Sequence, residues 1–325
     1  MDPFVRVPVG STDRRVTQLG LGAAALGNDS TTDEDAEATI RTAWDVGIRY
    51  FDVAPMYGNG AAEIRLGRAL AAYPRDEYTL SSKVGRLIPG HEDGDGVGES
   101  WAFDFSADGV KRSIAASLTR LGVDRIDMLL IHDADDHYDT ALNEAYPVLA
   151  DLRSQGVVGA IGVGMTQIPL PVRFVRDTDM DVLLLAGRYT LLDTEGADEL
   201  LPLCVERGVS VLNAQSMHGG LIEAQPNPQF HYQPIDPATQ RKVDTIRQIS
   251  DRYGVPTAAV AIQFPLAHPA VTAVLTGPST GEQMAGNIAW AEMEIADALW
   301  ADLREAGILA AGIPTSTLPY GKGSR

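Results

Sequence analysis

A repeated unit constrains the fold of this chain more than any other feature. A helix-period segment ends in glycine, and a β-branched apolar run follows at once. The first clear example is residues 33–46 as helix, Gly47 as the stop, and residues 48–53 as strand. The unit recurs at helix 111–121 with strand 126–131, helix 142–154 with strand 157–163, and helix 197–207 with strand 209–212. This alternation predicts βα units around a parallel sheet.

Further apolar runs bring the predicted strands to eight, adding residues 19–21, 78–84, 181–185 and 271–275. Residues 128–131 and 182–185 are continuously apolar, which indicates burial on both faces. Eight such units favour a closed (β/α)8 TIM barrel over an open doubly wound sheet. Residues 4–9 and 15–19 flank a turn and predict a short N-terminal β-hairpin. Because no linker divides the sequence, we expect a single domain over residues 1–325.

Charge and cysteine usage narrow the function classes. The 325 residues include 44 Asp and Glu against 26 Lys and Arg, a net charge of −18. Such a surface repels phosphate backbones and anionic lipid, so we expect no nucleic-acid or membrane partner. Cys204 is the only cysteine, and neither a signal peptide nor an apolar run of about 18 residues is evident. These features predict a cytoplasmic protein with a small-molecule substrate, and they do not indicate its oligomeric state.

The glycine-rich start, Gly20-Leu21-Gly22-Ala23-Ala24-Ala25, matches the looser dinucleotide fingerprint G-x-G-x-x-A. That fingerprint requires a helix N-terminus directly after the turn. The helix-start signals occur only at residues 28–33. We therefore interpret the segment as a tight strand exit that lets a ligand approach the backbone, and not as a Rossmann turn.

Polar residues collect where three neighbouring strands end. Asp52 ends the second strand, Lys83 the third and His132 the fourth, and Tyr57 follows Asp52 by five residues. Active sites of (β/α)8 barrels lie at these strand ends. Adjacent strands are about 4.8 Å apart, so the side chains should converge within roughly 10 Å.

These four residue types suit proton transfer. A free tyrosine has a pKa near 10, and a neighbouring ammonium favours its phenolate. We expect Lys83, held by Asp52, to lower the pKa of Tyr57, and His132 to position a substrate oxygen. Only four lysines occur against 22 arginines, so a lysine here is not the default cation of the chain. Taken singly, Asp52 also fits a helix cap, and Tyr57 or His132 a core residue.

Asp52, the turn Ala54-Pro55-Met56-Tyr57-Gly58, Lys83 and His132 together resemble the tetrad of the aldo-keto reductases. The resemblance runs over residues 16–295. With the segment 185–193, it is strongest to the branch containing D-threo-aldose 1-dehydrogenase, L-fucose dehydrogenase and pyridoxal 4-dehydrogenase. It implies a barrel that binds an extended nicotinamide cofactor. Tyr57 would then act as general acid/base while an aldose or other small alcohol is interconverted with its lactone, aldehyde or ketone.

The resemblance also implies ligand contacts. Thr166 and Gln167 would border the nicotinamide amide, although the family commonly has Ser or Asn there. The segment after strand eight would hold the adenosine end, and Met56 would face the substrate. Separately from the resemblance, Trp101 in the long loop of residues 87–105 fits either a wall of the substrate pocket or an exposed loop anchor. The strand-seven exit, residues 213–220, lacks the aromatic residue that many members stack on nicotinamide. The predicted cofactor contacts are Gly22, Thr166, Gln167, Arg188, Tyr189, Gly277, Ser279, Thr280, Glu282, Gln283 and Asn287.

The cofactor choice follows from an absence of cations. Family members that use NADP usually grip its 2′-phosphate with Lys or Arg after strand eight. No Lys or Arg occurs from Tyr253 to Leu303, so a 2′-phosphate there would meet Glu282 without a cation. The sequence therefore favours NAD, with NADP less favoured.

Two alternatives stay open at this point. The run His132-Asp133-Ala134-Asp135-Asp136-His137 contains metal-ligand types, which would suit a metal-dependent barrel hydrolase. Such ligands normally come from several strand ends, whereas most of this run lies in one loop, so we predict no metal. The second alternative is a non-catalytic cofactor-binding subunit on the same fold, and the complete set of four polar residues speaks against it.

Overall fold

The computed structural model describes residues 2–222, 230 and 234–315, and a closed barrel of eight parallel strands lies at its centre. Around the barrel the strands follow chain order, and the last pairs with the first. This arrangement confirms the predicted (β/α)8 TIM barrel. The barrel strands are β3 (Leu19–Gly22), β4 (Tyr50–Asp52), β5 (Thr79–Val84), β8 (Met128–His132), β9 (Ala160–Met165), β10 (Val182–Ala186), β11 (Ser210–Ala214) and β12 (Val271–Thr276).

Four further strands form two antiparallel pairs outside the barrel. The first pair, β1 (Arg6–Pro8) with β2 (Arg15–Thr17), is the predicted N-terminal hairpin. The second, β6 (Arg86–Leu87) with β7 (Ala102–Phe103), lies at the base of the long segment after β5. The sequence shows no periodic signal for this second pair, because each strand is only two residues long. The pairing nevertheless fixes where that segment begins and returns.

Helices cover the outer face of the barrel. Gly122 and Gly208 end two of them in the left-handed conformation, with φ of 64° and 69°, as the glycine stops predict. No helix in the described ranges is long and apolar enough to cross a membrane. The helices are α1 (Asp33–Asp45), α2 (Ala61–Leu70), α3 (Ala107–Leu121), α4 (Tyr138–Thr140), α5 (Tyr146–Ser154), α6 (Pro169–Asp177), α7 (Leu200–Arg207), α8 (Pro237–Arg252), α9 (Thr257–Gln263), α10 (Gly281–Glu292) and α11 (Asp297–Glu305).

Two hydrophobic clusters hold the barrel together. The larger one fills the space between the strands and the surrounding helices. The smaller one lies inside the barrel, where Met128, Leu130 and Leu212 pack with Val7, Val9 and Val16 of the hairpin region. Hairpin valines therefore close the end of the barrel at which the strands begin, and the opposite end is left for the site.

The glycine-rich start takes the structure expected from its helix signals. Gly20 and Gly22 lie within β3, and a short 3₁₀ turn over Ala23–Gly27 follows. The first α-helix begins only at Asp33, after the N-cap Thr32. A Cβ on Gly20 would come within 2.7 Å of the Tyr50 ring. Glycine is required there by packing inside the barrel, and the segment does not form a Rossmann turn.

Candidate active site

Lys83 is the centre of a buried polar group at the open end of the barrel. Its Nζ lies 2.6 Å from Asp52 Oδ1, 3.0 Å from the main-chain oxygen of Val53 and 3.2 Å from Tyr57 Oη. Only 1% of the lysine side chain is exposed. The three predicted residues therefore converge, and the ammonium uses all three of its protons.

The strand period explains how β5 delivers this lysine. Alternate residues of a strand point to opposite faces, so Ser81 and Lys83 face the barrel interior. Ser82, between them, donates a 2.8 Å hydrogen bond outward to Glu63 of α2. Ser81 donates to Asp52 Oδ2 at 2.6 Å and also lies 3.1 Å from Tyr50 Oη. A continuous chain thus links Tyr57, Lys83, Asp52, Ser81 and Tyr50.

A close backbone contact fixes Tyr57 over the lysine. Tyr57 begins a 3₁₀ turn in which Gly58 has φ of 57°. A Cβ on Gly58 would lie 2.1 Å from the main-chain oxygen of Gly27, so this turn packs directly on the turn that follows β3. Only glycine allows both the left-handed conformation and this approach. The direction of the Tyr57 side chain is therefore set by the backbone.

The electrostatic balance at Tyr57 differs from the expectation. Burial raises the pKa of the phenol, and Asp52 adds to this, whereas the charge of Lys83 lowers it; the net pKa lies above 10.0. The ammonium alone would lower this pKa, but the desolvation of the buried phenol outweighs it. Burial also opposes the charge of Lys83, but attraction to Asp52 and the hydrogen bonds outweigh it, so the pKa of Lys83 is raised.

His132 completes the predicted tetrad. Its ring meets the Tyr57 ring edge to face, with centroids 5.9 Å apart. Burial, followed by the charges of Lys83 and Arg86, holds the pKa of His132 well below 6.5. The imidazole is therefore neutral at physiological pH, with one nitrogen as donor and the other as acceptor. Its Nδ1 is buried without a hydrogen-bond partner among the residues of the described ranges.

A cleft of about 1120 Å³ extends from the tetrad across the ends of β10–β12 and β3 to α10. Asp52 and Tyr57 of the tetrad and Trp290 of α10 all line it. Six predicted cofactor residues line the cleft: Gly22, Gly277, Ser279, Glu282, Gln283 and Asn287. The predicted contacts at the ends of β3 and β12 therefore share one surface.

Several lining residues were not singled out from the sequence. Thr276 lines the cleft, and its buried Oγ1 has no hydrogen-bond partner within the described part of the chain. Trp290 also lines the cleft, as do residues 214–220 of the strand-seven exit, which the sequence had already marked by its lack of an aromatic residue. Thr276 ends β12 as Asp52 ends β4, so the strand-end rule applied to every strand would have found it. Trp290 gives no comparable signal in its helix.

The other predicted ligand residues do not line this cleft. Thr280 caps α10, and its Oγ1 accepts a hydrogen bond from the Gln283 amide. Arg188 donates to the main-chain oxygen of Thr166 at 2.7 Å, and Gln167 donates to Asp135 at 2.5 Å. Tyr189 is buried, and its ring packs on Phe264 with centroids 5.0 Å apart. Their roles toward a cofactor stay predictions.

The predicted substrate residues meet at Arg86. Its Nη1 lies 2.6 Å from Met56 Sδ, and its guanidinium carbon lies 4.3 Å from the centre of the Trp101 ring. Met56 and Trp101 thus contact the same cation, which pairs with Asp133 directly after the His132 strand end.

The acidic run after β8 divides among separate partners. Asp133 pairs with Arg86 and Asp135 with Gln167, while the His137 ring packs on Phe103 and Phe105 with centroids 4.9 and 5.3 Å away. Over residues 2–222, 230 and 234–315, no three His, Cys, Asp or Glu side chains converge in a way that would hold a metal ion. The geometry of this run gives the hydrolase alternative no support.

The fold and this site define a class: a (β/α)8-barrel enzyme with a tyrosine–lysine–aspartate–histidine group at the mouth of a ligand cleft. A sequence model of the Aldo/keto reductase family matches residues 18–308. The chain belongs to the aldo/keto reductase family, and it is a nicotinamide-dependent oxidoreductase. Because the chain belongs to this family, the alternative of a metal-dependent barrel hydrolase is rejected.

Individual relatives agree with this assignment. D-threo-aldose 1-dehydrogenase of a Pseudomonas species is 39% identical and covers 90% of this chain and 95% of its own. Pyridoxal 4-dehydrogenase of Microbacterium luteolum is 36% identical, covering 93% and 97%. An aldo-keto reductase structure from Bacillus halodurans, in its holo form, superposes with a TM-score of 0.78 over 98% of both chains, at 24% identity. This structure has the same fold.

Proposed function

We propose that this protein is an NAD-preferring dehydrogenase that oxidises C1 of an aldose hemiacetal to a lactone, with Tyr57 as the general base. One observation carries the proposal: Tyr57 lines the cleft, and its Oη lies 3.2 Å from the buried Lys83 ammonium, beside a neutral His132. In the reverse direction, the Tyr57 phenol returns the proton to a carbonyl oxygen.

The residues of the cleft fit a dinucleotide. The volume of about 1120 Å³ exceeds that of a pocket for a single small molecule. Glycines and alanines line it near β3, and a Cβ on Gly22 or Gly277 would make only ordinary van der Waals contacts, none under 3.6 Å. The Thr276 hydroxyl, which has no hydrogen-bond partner among the residues that the structure describes, offers a hydrogen bond. Ser279, Glu282, Gln283 and Asn287 would hold the adenosine end, and Gly22, Thr276 and Gly277 the part nearer Tyr57.

The chain's own residues have distinct roles in this proposal. Tyr57, as phenolate, takes the hydroxyl proton from the substrate, and the fixed charge of Lys83 stabilises that phenolate. Asp52 and Ser81 hold the lysine in place. His132, being neutral, shares a hydrogen bond with the reacting oxygen without repelling a cation. The oxidised nicotinamide, when bound, supplies a hydride acceptor and a positive ring charge that offsets the effect of burial on Tyr57.

The substrate class rests on the relatives. A D-threo-aldose dehydrogenase and a pyridoxal dehydrogenase are among the similar proteins. The test is therefore a panel of L-fucose, D-arabinose, L-galactose, pyridoxal and benzyl alcohol. Turnover of each compound is followed by nicotinamide absorbance with NAD and with NADP. The proposal predicts the highest kcat/KM for an aldose with NAD. Turnover confined to pyridoxal or benzyl alcohol would contradict the aldose assignment, and no turnover with any compound would favour a non-catalytic subunit.

Cofactor preference is a separate prediction. The residues that line the cleft in the described part of the chain include no Lys or Arg. A 2′-phosphate would meet Glu282 without a cation to neutralise it. We expect NADH to bind at least about tenfold more tightly than NADPH. Quenching of Trp290, which lines the cleft, reports both titrations.

A charge-reversal pair sharpens this test. Glu282→Arg should tighten NADPH binding relative to NADH binding, because the new cation can pair with the 2′-phosphate that only NADPH carries. Glu292→Arg is the matched control, because it makes the same charge change on the same helix outside the cleft lining. Equal affinity of the wild-type protein for NADH and NADPH would refute the preference. A gain in NADPH affinity with Glu292→Arg would show that net charge, and not position, is responsible.

A further inference from the structure

A second polar group lies beside the tetrad, and the mechanism above does not use it. Asp133 follows His132 directly and has φ of 42°, a conformation that few residues other than glycine adopt. Its backbone amide donates to the main-chain oxygen of Gly164 at 2.9 Å. Left-handed residues of this kind persist where the surrounding structure holds them, and they are concentrated at functional sites. The position of the Asp133 carboxylate is therefore of functional interest.

Arg86 fixes that carboxylate. Its Nη2 donates to Asp133 Oδ2 at 2.7 Å, and only 7% of the arginine side chain is exposed. The guanidinium carbon lies 4.3 Å from the Trp101 ring centre and 5.0 Å from that of Phe103. Pairing of β6 with β7 anchors both the arginine and the aromatic residues. We refer to these two charged residues as the Arg86–Asp133 pair.

The pair borders the reacting position. Asp133 Oδ2 lies 3.5 Å from His132 Nε2, and the His132 ring contacts the Tyr57 ring. The negative charge of Asp133 is also one of the influences that raise the pKa of Tyr57. A substrate oxygen held between Tyr57 and His132 would therefore have the Asp133 carboxylate as a near neighbour.

One oxygen of this carboxylate is available. The hydrogen bond and ion pairs of the Asp133 side chain in the described ranges all involve Oδ2, and 21% of that side chain is exposed. A partly buried carboxylate with an open lone pair is costly until a donor reaches it. Oδ1 is thus a ready acceptor for a hydroxyl that enters with the substrate.

We propose that Asp133 accepts a hydrogen bond from the substrate hydroxyl on the carbon next to the reacting one, and that the Arg86–Asp133 pair thereby selects polyhydroxylated substrates. This inference rests on the proposed aldose dehydrogenase function and names the contact that gives it specificity. Arg86 is a positioning residue, since it holds the carboxylate. Trp101, stacked on Arg86, adds an apolar surface of the kind against which a sugar ring packs.

The chemistry explains why this contact discriminates. A site built to hydrogen-bond a substrate hydroxyl strongly rejects the analogue that lacks it, because a buried polar group is then left unpaired. An aldose carries a hydroxyl at C2, directly beside the hemiacetal carbon. A 2-deoxy aldose presents only hydrogen there and leaves Oδ1 unpaired. Simple aromatic alcohols lack this donor as well.

A cycle of two substrates and two proteins tests the inference. The wild-type enzyme and Asp133→Asn are each assayed with L-fucose and 2-deoxy-L-fucose under saturating NAD. We expect the wild type to prefer L-fucose by about 100-fold in kcat/KM, and the variant to prefer it less than about fivefold. Asp136→Asn is the matched control, because it removes the same charge from an exposed position in the same loop, and it should keep the wild-type ratio.

Substitution of Arg86 provides an independent test of the same inference. Arg86→Met should raise the KM for L-fucose more than it lowers kcat, and Arg86→Lys should recover part of the lost ratio between the two sugars. A ratio unchanged in Asp133→Asn, or a wild type that does not distinguish the two sugars, would overturn the inference while leaving the dehydrogenase function intact. A wild type that oxidises no aldose at all would instead overturn the proposed function on which the inference rests.

Discussion

Tyr57→Phe is expected to lower kcat for the best aldose by about 10³-fold, because general acid–base catalysis by one side chain contributes about 10²- to 10⁴-fold. The phenyl ring keeps its contact with His132, and the backbone turn that positions residue 57 is unchanged. The change removes the oxygen 3.2 Å from Lys83 Nζ and little else. NADH affinity, measured by Trp290 quenching, should stay within about threefold of wild type.

The matched control for this variant is Tyr253→Phe. This substitution also deletes a single phenolic oxygen, which donates a hydrogen bond to Asp302 at 2.9 Å. Tyr253 itself follows α8 in the outer helical layer, far along the chain from the tetrad. Turnover should be unaffected there. If Tyr57→Phe retained more than a tenth of the wild-type kcat, Tyr57 would not be the general acid/base. If it lost turnover and NADH binding together, its role would be structural or in binding.

Lys83→Met is the second large effect, and it acts on both pH dependence and stability. The charge of Lys83 lowers the pKa of Tyr57 against the effect of burial, so its removal raises that pKa further. Oxidation requires the phenolate, and its rate therefore rises with pH toward the pKa. We expect the midpoint of the kcat/KM profile to move to higher pH, with a lower rate at neutral pH. Since burial and the charges of Lys83 and Arg86 hold the pKa of His132 well below 6.5, the wild-type profile should show no histidine step near that value.

The stability effect comes from Asp52. Its carboxylate is 4% exposed and loses its 2.6 Å partner when Lys83 is replaced. Breaking one side of a buried ion pair costs about 3–5 kcal/mol of unfolding free energy. The double variant Asp52→Asn with Lys83→Met removes both charges and should recover much of that stability in chemical denaturation, but no activity. Recovery of turnover in the double variant would show that Lys83 matters only for folding, and an unshifted pH profile in Lys83→Met would contradict its effect on Tyr57.

The sequence predicts the fold more fully than the site. Each of the eight barrel strands was located, four of them after a glycine stop and four from an apolar run alone, because strands of a parallel sheet are buried on both faces. Strand starts were less accurate. Residues 48–53 read as one strand, but β4 spans only Tyr50–Asp52, since Ile48 is buried by packing outside the ladder. A β-branched apolar residue has the same local signal in either position.

The tetrad was predictable because each member ends a strand or follows one closely. What one-dimensional reasoning missed depends on contacts across the barrel. Ser81 supports Asp52 only because two neighbouring strands are in register. The desolvation that raises the pKa of Tyr57 arises from the assembled walls. The alignment of Arg86 with Asp133, 47 residues apart, likewise exists only once β5 and β8 pair.

The hairpin valines inside the barrel have a consequence for how this protein can change. Val7, Val9 and Val16 close the barrel end at which the strands begin, whereas the tetrad and the Arg86–Asp133 pair lie at the opposite end. The valine packing that stabilises the barrel and the residues proposed for catalysis are thus at opposite ends of the barrel. New loops grafted after the carboxyl ends of the strands would change the substrate specificity without destabilising the barrel. Truncating the hairpin valines would instead admit water to the barrel interior and displace Lys83.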